Sequence, residues 1–538
     1  MNPHKPKRRR TEETEKASYI RVAHTLCEGE NKDIQKRKIK IQNALRSLQI
    51  PCDADCVPPI AVLGSGGGLR AMVALIGTLT ELGAQNLLDT IMYLCGVSGS
   101  TWCMSSLYRD PQWSSQVEDA ETKMVETLNN GKFSFINSWQ RITKSIEDEN
   151  FSCTDIWEAT FVYMVVKEMD DRKLSKEEDA EMTNPYPIYA AVNKSQLDDK
   201  EKYNKGTWFE ITRHEAGYPE YGAFVDTSAL GSQFRGGNKI KHKDEMSMLS
   251  LQGLFGSAIG DMRENEKFIL GRPPSEDVFS FYNDVEEDEE DLSLGDEYEK
   301  TAIFWLLDLH QNFLWGKDCK HILKSMNNIV KDEKVIYELV SLMYDTWDIV
   351  GKDIQQRMIS ALSEAVFYHF EENSLPSKLV SEDKIYLIDA GLSINSAYPL
   401  VLRRDRGVQL ILSFDFSDGD PFMTVTEAAQ YCDKNKIPFP TIPAMSEEEK
   451  KCPSSVYIFK GENTPTVMHF PLFNKDNCGG EEKIEAMRKT YGTIRMSYSE
   501  NELQNLLKAA KKNVEINRNK IVAEIQNAMD AERKKKHQ

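Results

Sequence analysis

Two short apolar runs, each ending in a glycine-rich turn, constrain the fold of this chain more than any other feature. The run 59–63 leads into the turn GSGGG at 64–68, and the run 91–95 leads into GVSGS at 96–100. A helix-compatible segment follows each turn. This order indicates a buried strand that passes directly into a helix. Two such units in tandem predict an α/β fold with a mainly parallel sheet.

Further strands are predicted much later in the chain. Segments 384–388 and 408–414 combine β-branched and aliphatic residues and are bounded by Asp and Gly, which is typical of strands. The sheet is therefore assembled from both ends of the chain. The long region between them contains helical patterns at 299–309 and 336–344.

Composition and charge exclude several classes of protein. The 538 residues are 40% apolar and 28% charged, as in folded globular proteins. The chain contains 67 basic and 85 acidic residues, which gives a net charge of -18. No general affinity for nucleic acid is therefore expected, and any membrane contact must be local. The ten cysteines are irregularly spaced, and only Cys52 and Cys56 are close enough to suggest metal ligands, without a second pair. A reduced cytoplasmic setting is expected.

Shifts in composition divide the chain into segments. A basic tail and helix are predicted for 1–45, a central domain for 46–500, and an amphipathic helix with a basic tail for 501–538. The basic tail is interpreted as a nuclear address, a lipid contact or a solvated segment. Residues 262–300 form an acidic insertion, either a lid over the site or a solvated loop.

The turn at 96–100 has the pattern of an activated serine. A serine hydroxyl is a weak nucleophile unless a sharp strand-to-helix turn exposes it, with a base beside it and amide donors in front. Glycines on both sides of Ser98 permit such a turn, and the following helix directs its positive end towards the reaction centre. The short pattern also occurs by chance in ordinary glycine turns.

The glycine run at 66–68 supplies a second element. Its amides predict an oxyanion hole, because the sequence matches neither a phosphate-binding loop nor a dinucleotide-binding turn. Arg70 follows in the first turn of the predicted helix, where a guanidinium would suit a phosphodiester headgroup. The alternative for Arg70 is a surface ion pair.

Asp389 ends the predicted strand that leads into a DAGL turn at 389–392. Strand ends border the active crevice in α/β enzymes, so this residue is a candidate catalytic acid or base. An aspartate at such a position also commonly caps the following turn.

Together these segments resemble the three catalytic blocks of the group IV cytosolic phospholipases A2, which are patatin-like acyl hydrolases. The blocks are GSGGGLRAM at 64–72, GVSGSTW at 96–102 and DAGL at 389–392. Further similar segments, spread over most of residues 50–475, lie at 208–210, 221–225, 253–258 and 413–417. The resemblance implies an α/β, three-layer patatin-like fold, with a mainly parallel central sheet, helices on both faces and an inserted lid region at 262–300. It also implies that 46–500 is the catalytic domain.

The resemblance assigns roles residue by residue. Ser98 is expected to be the nucleophile and Asp389 its base, with Gly67 and Gly68 as oxyanion donors. The substrate-binding residues expected on the same ground are Arg70, Asn395 and Arg406. Only His469 and His537 follow Asp389. His469 is interpreted as a satisfied strand-end histidine, so Asp389 is expected to take the serine proton directly.

The expected function is that of a calcium-independent phospholipase A2 and lysophospholipase, with possible transacylase activity. Most relatives begin with a calcium-dependent lipid-docking domain, whereas about 50 residues precede the first catalytic strand here, so the chain is placed nearest the gamma branch. No cofactor or metal is expected, and no prenyl anchor, because the chain ends without a cysteine. The expected partners are phospholipid membrane surfaces and lysophospholipids, met by a cytoplasmic protein on intracellular membranes, and not nucleic acid. A catalytically silent lipid-binding scaffold and an esterase for soluble substrates are the alternatives.

Overall fold

In the computed structural model of this chain, the apolar runs of the sequence become strands of one large sheet, and three further strands, within 233–241 and at 370–371, form a separate sheet. The strands are β1 (Arg21–Val22), β2 (Ile60–Gly64), β3 (Tyr93–Gly96), β4 (Tyr186–Asn193), β5 (Trp208–Ile211), β6 (Glu215–Tyr218), β7 (Ala223–Asp226), β8 (Gln233–Arg235), β9 (Asn238–Lys241), β10 (Phe370–Glu371), β11 (Leu387–Asp389), β12 (Leu410–Asp415), β13 (Tyr457–Phe459) and β14 (Thr466–Pro471). The helices are α1 (Glu28–Ser47), α2 (Gly68–Ala84), α3 (Gly99–Leu107), α4 (Val117–Asn130), α5 (Tyr163–Val166), α6 (Lys194–Leu197), α7 (Met248–Phe255), α8 (Tyr398–Val401), α9 (Met423–Asn435), α10 (Glu447–Lys451), α11 (Glu481–Thr490) and α12 (Glu500–His537).

The structure describes most of the two ends of the chain and little of its middle. The described ranges are 19–52, 56–134, 158–177, 181–197, 203–256, 385–493 and 497–537, with short pieces at 137–138, 141, 319–321, 323–324, 341, 344–345, 347–348, 370–371 and 495. The predicted N-terminal basic tail, the acidic insertion at 262–300 and the helical pattern at 299–309 lie outside these residues. The pattern at 336–344 does so too, apart from 341 and 344.

The chain divides into two compact units. The first comprises 1–131, 165–260 and 369–538 and contains the sheet. The second comprises 132–164 and 261–368. Within the described part of the second unit, a π-helical turn at Glu158–Val162 carries Glu158, which pairs with Arg141 at 3.0 Å.

The centre of the large sheet is parallel. Its strand order is β1-β7-β6-β5-β4-β3-β2-β12-β14-β13, and the consecutive pairs from β4 to β14 are all parallel. Strands β2, β3 and β12 are buried at every residue, as expected for parallel strands covered on both faces. The predicted parallel sheet, with strands from both ends of the chain, is therefore confirmed, while its outer strands pair antiparallel.

Strand β11 has the pairing that positions the candidate site. It runs antiparallel to β4, with Asp389 opposite Ala191. Strand β5 occupies the other side of β4 at the same level, with Ala191 opposite Phe209, so β11 lies on the β3 side. Because β3 ends at Gly96, opposite Tyr189, the end of β11 meets the end of β3.

The C-terminal helix α12 lies against α2. It is one continuous helix of 38 residues rather than two, and it includes the predicted basic tail up to His537. Gly77 of α2 permits the contact, because a Cβ atom there would lie 3.1 Å from Leu507 Cδ2. Helix α12 belongs to the same compact unit as the sheet. Among the helices that the structure describes, none combines the length and apolar character needed to cross a bilayer.

Candidate active site

Ser98 lies on a strained turn between β3 and α3. Its backbone has φ 51° and ψ -125°, close to the mirror image of the first central position of a type II turn, a conformation that favours glycine. A Cβ atom on Gly99 would lie 1.8 Å from Gly68 O, so the turn packs tightly against the glycine loop. Thr101 N donates to Ser98 O at 2.8 Å, and the Ser98 side chain is partly exposed. The serine is thus presented at the surface of a rigid turn.

The glycine loop at 64–68 is bonded directly to this turn. Val97 N donates to Gly64 O at 3.1 Å, and Ser100 Oγ donates to Ser65 O at 2.6 Å. A Cβ atom on Gly66 would lie 3.1 Å from Ser98 Cβ. The loop and Ser98 are therefore immediate neighbours.

Gly67 and Gly68 require glycine for conformational reasons. Their φ values are 146° and 57°, both in the positive-φ region that residues with a Cβ atom rarely adopt. They stand at the N-terminus of α2, where backbone amides have no acceptor within the helix. Such amides, at the positive end of a helix, are suited to stabilising an oxyanion.

Asp389 reaches the same place from β11. Its carboxyl group accepts a hydrogen bond from Gly391 N at 2.8 Å, and the nearby Ser98 hydroxyl lowers the pKa of the same group. The residue is 4% exposed. Burial raises the pKa of Asp389 to about 6, although the Gly391 amide and the Ser98 hydroxyl oppose the rise. A serine and a carboxylate nearly three hundred residues apart are thereby joined.

Asn395 braces the glycine loop. Gly66 N donates to its carbonyl oxygen at 3.0 Å, and its side-chain Nδ2 donates to Gly66 O at 3.3 Å and to Ser417 Oγ at 3.0 Å. Asn395 therefore lies at the site, beside Gly391 and Gly66.

Arg70 lies beneath the glycine loop, with its guanidinium directed into the protein. It donates to Phe416 O at 2.5 Å, to Tyr491 O and to Thr493 Oγ1 at 3.1 Å, and Asp418 lies 3.4 Å away. The side chain is 1% exposed. The structure thus brings Arg70 to the loop but surrounds it with acceptors from the protein.

Arg406 is placed in a buried ion-pair network instead. Its N–H groups donate to Glu30 at 2.9 and 3.1 Å, to Glu210 at 2.8 and 3.2 Å, and to Leu400 O at 2.7 Å. Because every donor of the guanidinium is used in this way, none remains for a substrate in this conformation. The network joins α1 to β5.

His469 lies in β14 and is fully buried. Its Nε2 is 2.6 Å from Pro421 O, while its Nδ1 has no hydrogen-bond partner among the described residues. Burial lowers the pKa of this imidazole. His469 thus lies in a strand, as interpreted from the sequence, but within β14 rather than at its end, and only one of its ring nitrogens has a hydrogen-bond partner among the described residues.

Comparisons with known proteins decide the family. The family model for the lysophospholipase catalytic domain matches residues 60–290. The chain is 35% identical to cytosolic phospholipase A2 gamma of Mus musculus, over 95% of this chain and 93% of that protein. It is also 35% identical to cytosolic phospholipase A2 gamma of Homo sapiens, over 95% and 96% respectively.

The chain belongs to the cytosolic phospholipase A2 family. The resemblance inferred from the catalytic blocks is therefore confirmed, and the protein is an enzyme, a phospholipid-hydrolysing serine hydrolase.

Solved structures support the fold of this cytosolic phospholipase A2. Human GIVD cytosolic phospholipase A2 superposes with a TM-score of 0.67 at 23% identity, over 95% of this chain and 66% of that one. The same enzyme in complex with methyl gamma-linolenyl fluorophosphonate gives a TM-score of 0.65 at 22% identity, over 96% and 66%. The predicted patatin-like α/β fold is thus confirmed.

Several residues of this cytosolic phospholipase A2 support the site without having been predicted. Phe416 N donates to Ser65 Oγ at 2.7 Å, and Ser65 N donates to Phe414 O at 3.1 Å, which ties the glycine loop to the end of β12. The only sequence signal for these contacts was the family-like segment at 413–417. Among the described residues, no cluster of three or more His, Cys, Asp or Glu side chains could hold a metal ion.

Proposed function

We propose that this protein is a calcium-independent phospholipase A2 and lysophospholipase that hydrolyses fatty acyl esters of glycerophospholipids through a dyad of Ser98 and Asp389. The observation that carries the proposal is that β11 brings the buried Asp389 carboxyl group to the end of β3, beside Ser98, whose hydroxyl lowers the pKa of that group. A nucleophile within hydrogen-bond reach of its base is the geometry that general base catalysis requires.

In the proposed first step, Asp389 removes the hydroxyl proton of Ser98 while Ser98 Oγ attacks the ester carbonyl carbon. The carbonyl oxygen becomes an oxyanion, which the amides of Gly67 and Gly68 stabilise together with the positive end of α2. The tetrahedral intermediate then expels the glycerol oxygen. Protonated Asp389 returns its proton to that oxygen, so a lysophospholipid leaves and the acyl chain stays on Ser98.

A second nucleophile completes the proposed cycle. Water gives up a proton to Asp389 and attacks the acyl-enzyme, which releases the fatty acid and restores the Ser98 hydroxyl. If the hydroxyl of another lipid attacks instead, the acyl group is transferred and the enzyme acts as a transacylase. The two outcomes share every residue and differ only in the acceptor.

The environment of Asp389 supports its proposed role. A pKa of about 6 leaves the carboxylate mostly ionised at cytoplasmic pH, yet makes it a stronger base than an ordinary aspartate. That increase in basicity assists direct proton transfer from Ser98 to Asp389. Asn395 is proposed to hold Gly66, and thereby the oxyanion loop, in place.

The location is proposed on other grounds. The similar gamma proteins are named cytosolic phospholipases, which suggests a cytoplasmic protein that meets its substrate at the surface of intracellular membranes. Because the net charge is -18, such a surface contact is expected to be local.

The test compares wild-type protein with Ser98→Ala, Asp389→Asn and His469→Gln, in chelator and with phospholipid and lysophospholipid labelled at each acyl position. The expected result is loss of hydrolysis by about 10⁴-fold or more in the first two variants, and retained hydrolysis per folded molecule in His469→Gln. Wild-type protein is expected to label with a fluorophosphonate, and Ser98→Ala is not.

Three results would overturn parts of the proposal. Hydrolysis of phosphatidylcholine by Ser98→Ala would show that Ser98 is not the nucleophile. A loss of activity in His469→Gln comparable to that in Asp389→Asn would indicate a catalytic triad rather than a dyad. Equal rates on monomeric and aggregated substrate would favour an esterase for soluble substrates.

A further inference from the structure

The contacts of Arg70 indicate a task different from binding the substrate phosphate. We propose that Arg70 is a positioning residue, which fixes the oxyanion loop against two later segments of the chain, and that Asp418 and Thr493 are its partners in this task. The inference rests on the proposed function, because the loop is assigned there as the oxyanion hole.

The first observation is where the guanidinium lies. Arg70 is the third residue of α2, and its side chain folds back under the loop that precedes the helix. A Cβ atom on Gly67 would lie 2.7 Å from Arg70 Nη2 and 3.1 Å from Phe416 O. The Arg70 guanidinium and the Phe416 carbonyl group that it contacts therefore pack directly against Gly67.

The second observation is what the guanidinium bonds. Nε donates to Phe416 O, and the two terminal nitrogens donate to Tyr491 O and to Thr493 Oγ1. These acceptors belong to the segment after β12 and to the segment between α11 and α12. One side chain thus joins α2 to two later segments, which lie 346 and 421 to 423 residues further along the chain.

The third observation is the arrangement of Asp418. Its Oδ2 lies 3.4 Å from Arg70 Nη1 and also accepts hydrogen bonds from Thr493 N at 3.1 Å and Thr493 Oγ1 at 3.0 Å. Arg70, Thr493 and Asp418 therefore form a closed set of contacts. A buried arginine that already has a carboxylate partner is poorly placed to receive an anion, because the phosphate would be repelled by Asp418.

The two roles make different predictions for substrates that lack a phosphate. A phosphate anchor acts only on phospholipids, whereas a loop-positioning residue acts on every ester whose oxyanion uses Gly67 and Gly68. Misplacement of these amides lowers the rate of the chemical step and leaves ground-state binding largely unchanged.

The experiment measures kcat and KM for phosphatidylcholine and for a monoacylglycerol with the same acyl chain, both in the same neutral detergent micelles. The variants are Arg70→Lys, Asp418→Asn and Thr493→Val. The control is Arg109→Lys, since Arg109 is 45% exposed in a surface pair with Glu168. The rate at which a long-chain fluorophosphonate labels Ser98 is measured for each protein as well, because this reaction needs the oxyanion hole but no phosphodiester.

We expect Arg70→Lys to lower kcat on both substrates by about 10- to 100-fold, with KM within about twofold and labelling slowed in proportion. Thr493→Val and Asp418→Asn are expected to lower the same three rates by smaller, mutually similar factors. Arg109→Lys should match wild type. Thermal unfolding of each variant establishes that it is folded. If Arg70→Lys is not folded, Thr493→Val, which preserves side-chain shape, distinguishes the two roles instead.

The inference is overturned if Arg70→Lys raises KM or lowers kcat for phosphatidylcholine alone, with monoacylglycerol hydrolysis and labelling at wild-type rates. It is also overturned if Asp418→Asn and Thr493→Val behave as Arg109→Lys does. If wild-type protein does not turn over monoacylglycerol, the labelling rates make the same distinction. Failure of the proposed function is recognised separately, because it would appear as hydrolysis by Ser98→Ala whatever the Arg70 variants do.

Discussion

The turn that carries Ser98 and the strand end that carries Asp389 hold their side chains in different ways. Ser98 has an unfavourable backbone, with φ 51°, and a partly exposed side chain. Asp389 has an ordinary backbone, with φ -54°, and a carboxyl group buried in the protein. One half of the pair is strained sterically and the other electrostatically, so each should respond to a different perturbation.

The largest expected effect separates the two halves by pH, because only Asp389 titrates near neutrality. The proposed base must be ionised, so kcat/KM should fall as Asp389 becomes protonated. With a pKa of about 6, the decline should begin near pH 6 and approach tenfold per pH unit below it. The measurement is the pH profile of kcat/KM in uncharged micelles, so that the lipid itself does not titrate.

A decline centred near pH 4 would contradict this prediction, because it would show an aspartate without the effect of burial. The fluorophosphonate labelling rate should follow the same profile, which separates loss of the base from changes in substrate binding.

The next effect concerns stability, and its sign follows from the direction of the Asp389 pKa. Because the folded-state pKa is raised above 3.8, the contribution of Asp389 to stability is fully present below about pH 3.8 and is lost as pH rises through about 6. Asp389→Asn removes the buried charge but keeps an acceptor for Gly391 N. We therefore expect this inactive variant to be more stable than wild type at pH 8, by on the order of 1 to 3 kcal/mol.

Thermal unfolding of both proteins at pH 8 and pH 5 checks the prediction. The gain should be larger at pH 8, where Asp389 of the wild type is ionised, than at pH 5, where it is largely protonated. Titrations elsewhere in the molecule are common to the two proteins and cancel in the difference. A variant less stable than wild type at both pH values would mean that the Asp389 carboxylate stabilises the fold.

The same contrast explains how far the sequence could predict the site. The turn at Ser98 is local, since glycines at 96 and 99 and an apolar run before them suffice to indicate it. Strands β2, β3 and β12 were equally predictable, because buried parallel strands give continuous apolar runs, whereas β4, which pairs with β3, was not predicted. Asp389 was a candidate because it ends a predicted strand, but its pairing with Ser98 was assignable only through family resemblance. Its placement depends on β11 pairing with β4 beyond the end of β3, which no local pattern encodes.

The two arginines show the limit more clearly. Arg70 and Arg406 stand in family-like positions, yet their contacts are with residues 346 to 423 and 6 to 376 positions away. Whether a guanidinium points towards a ligand or into an internal network depends on these distant acceptors. The sequence alone therefore placed both arginines near family-like segments without indicating which groups their side chains bond.

The smallest expected effect tests the steric half of the comparison. Replacing Ser98 by glycine removes both the hydroxyl and the Cβ atom that opposes positive φ, whereas alanine removes only the hydroxyl. Although glycine also increases the entropy of the unfolded chain, we expect Ser98→Gly to exceed Ser98→Ala in stability by about 1 kcal/mol. Ser106→Gly, in the last turn of α3, is the control for the entropy that glycine adds, and should lower stability by up to about 0.5 to 1 kcal/mol. Thermal unfolding at one pH measures all three variants, and equal stability of the glycine and alanine variants at position 98 would mean that the turn at Ser98 is not strained.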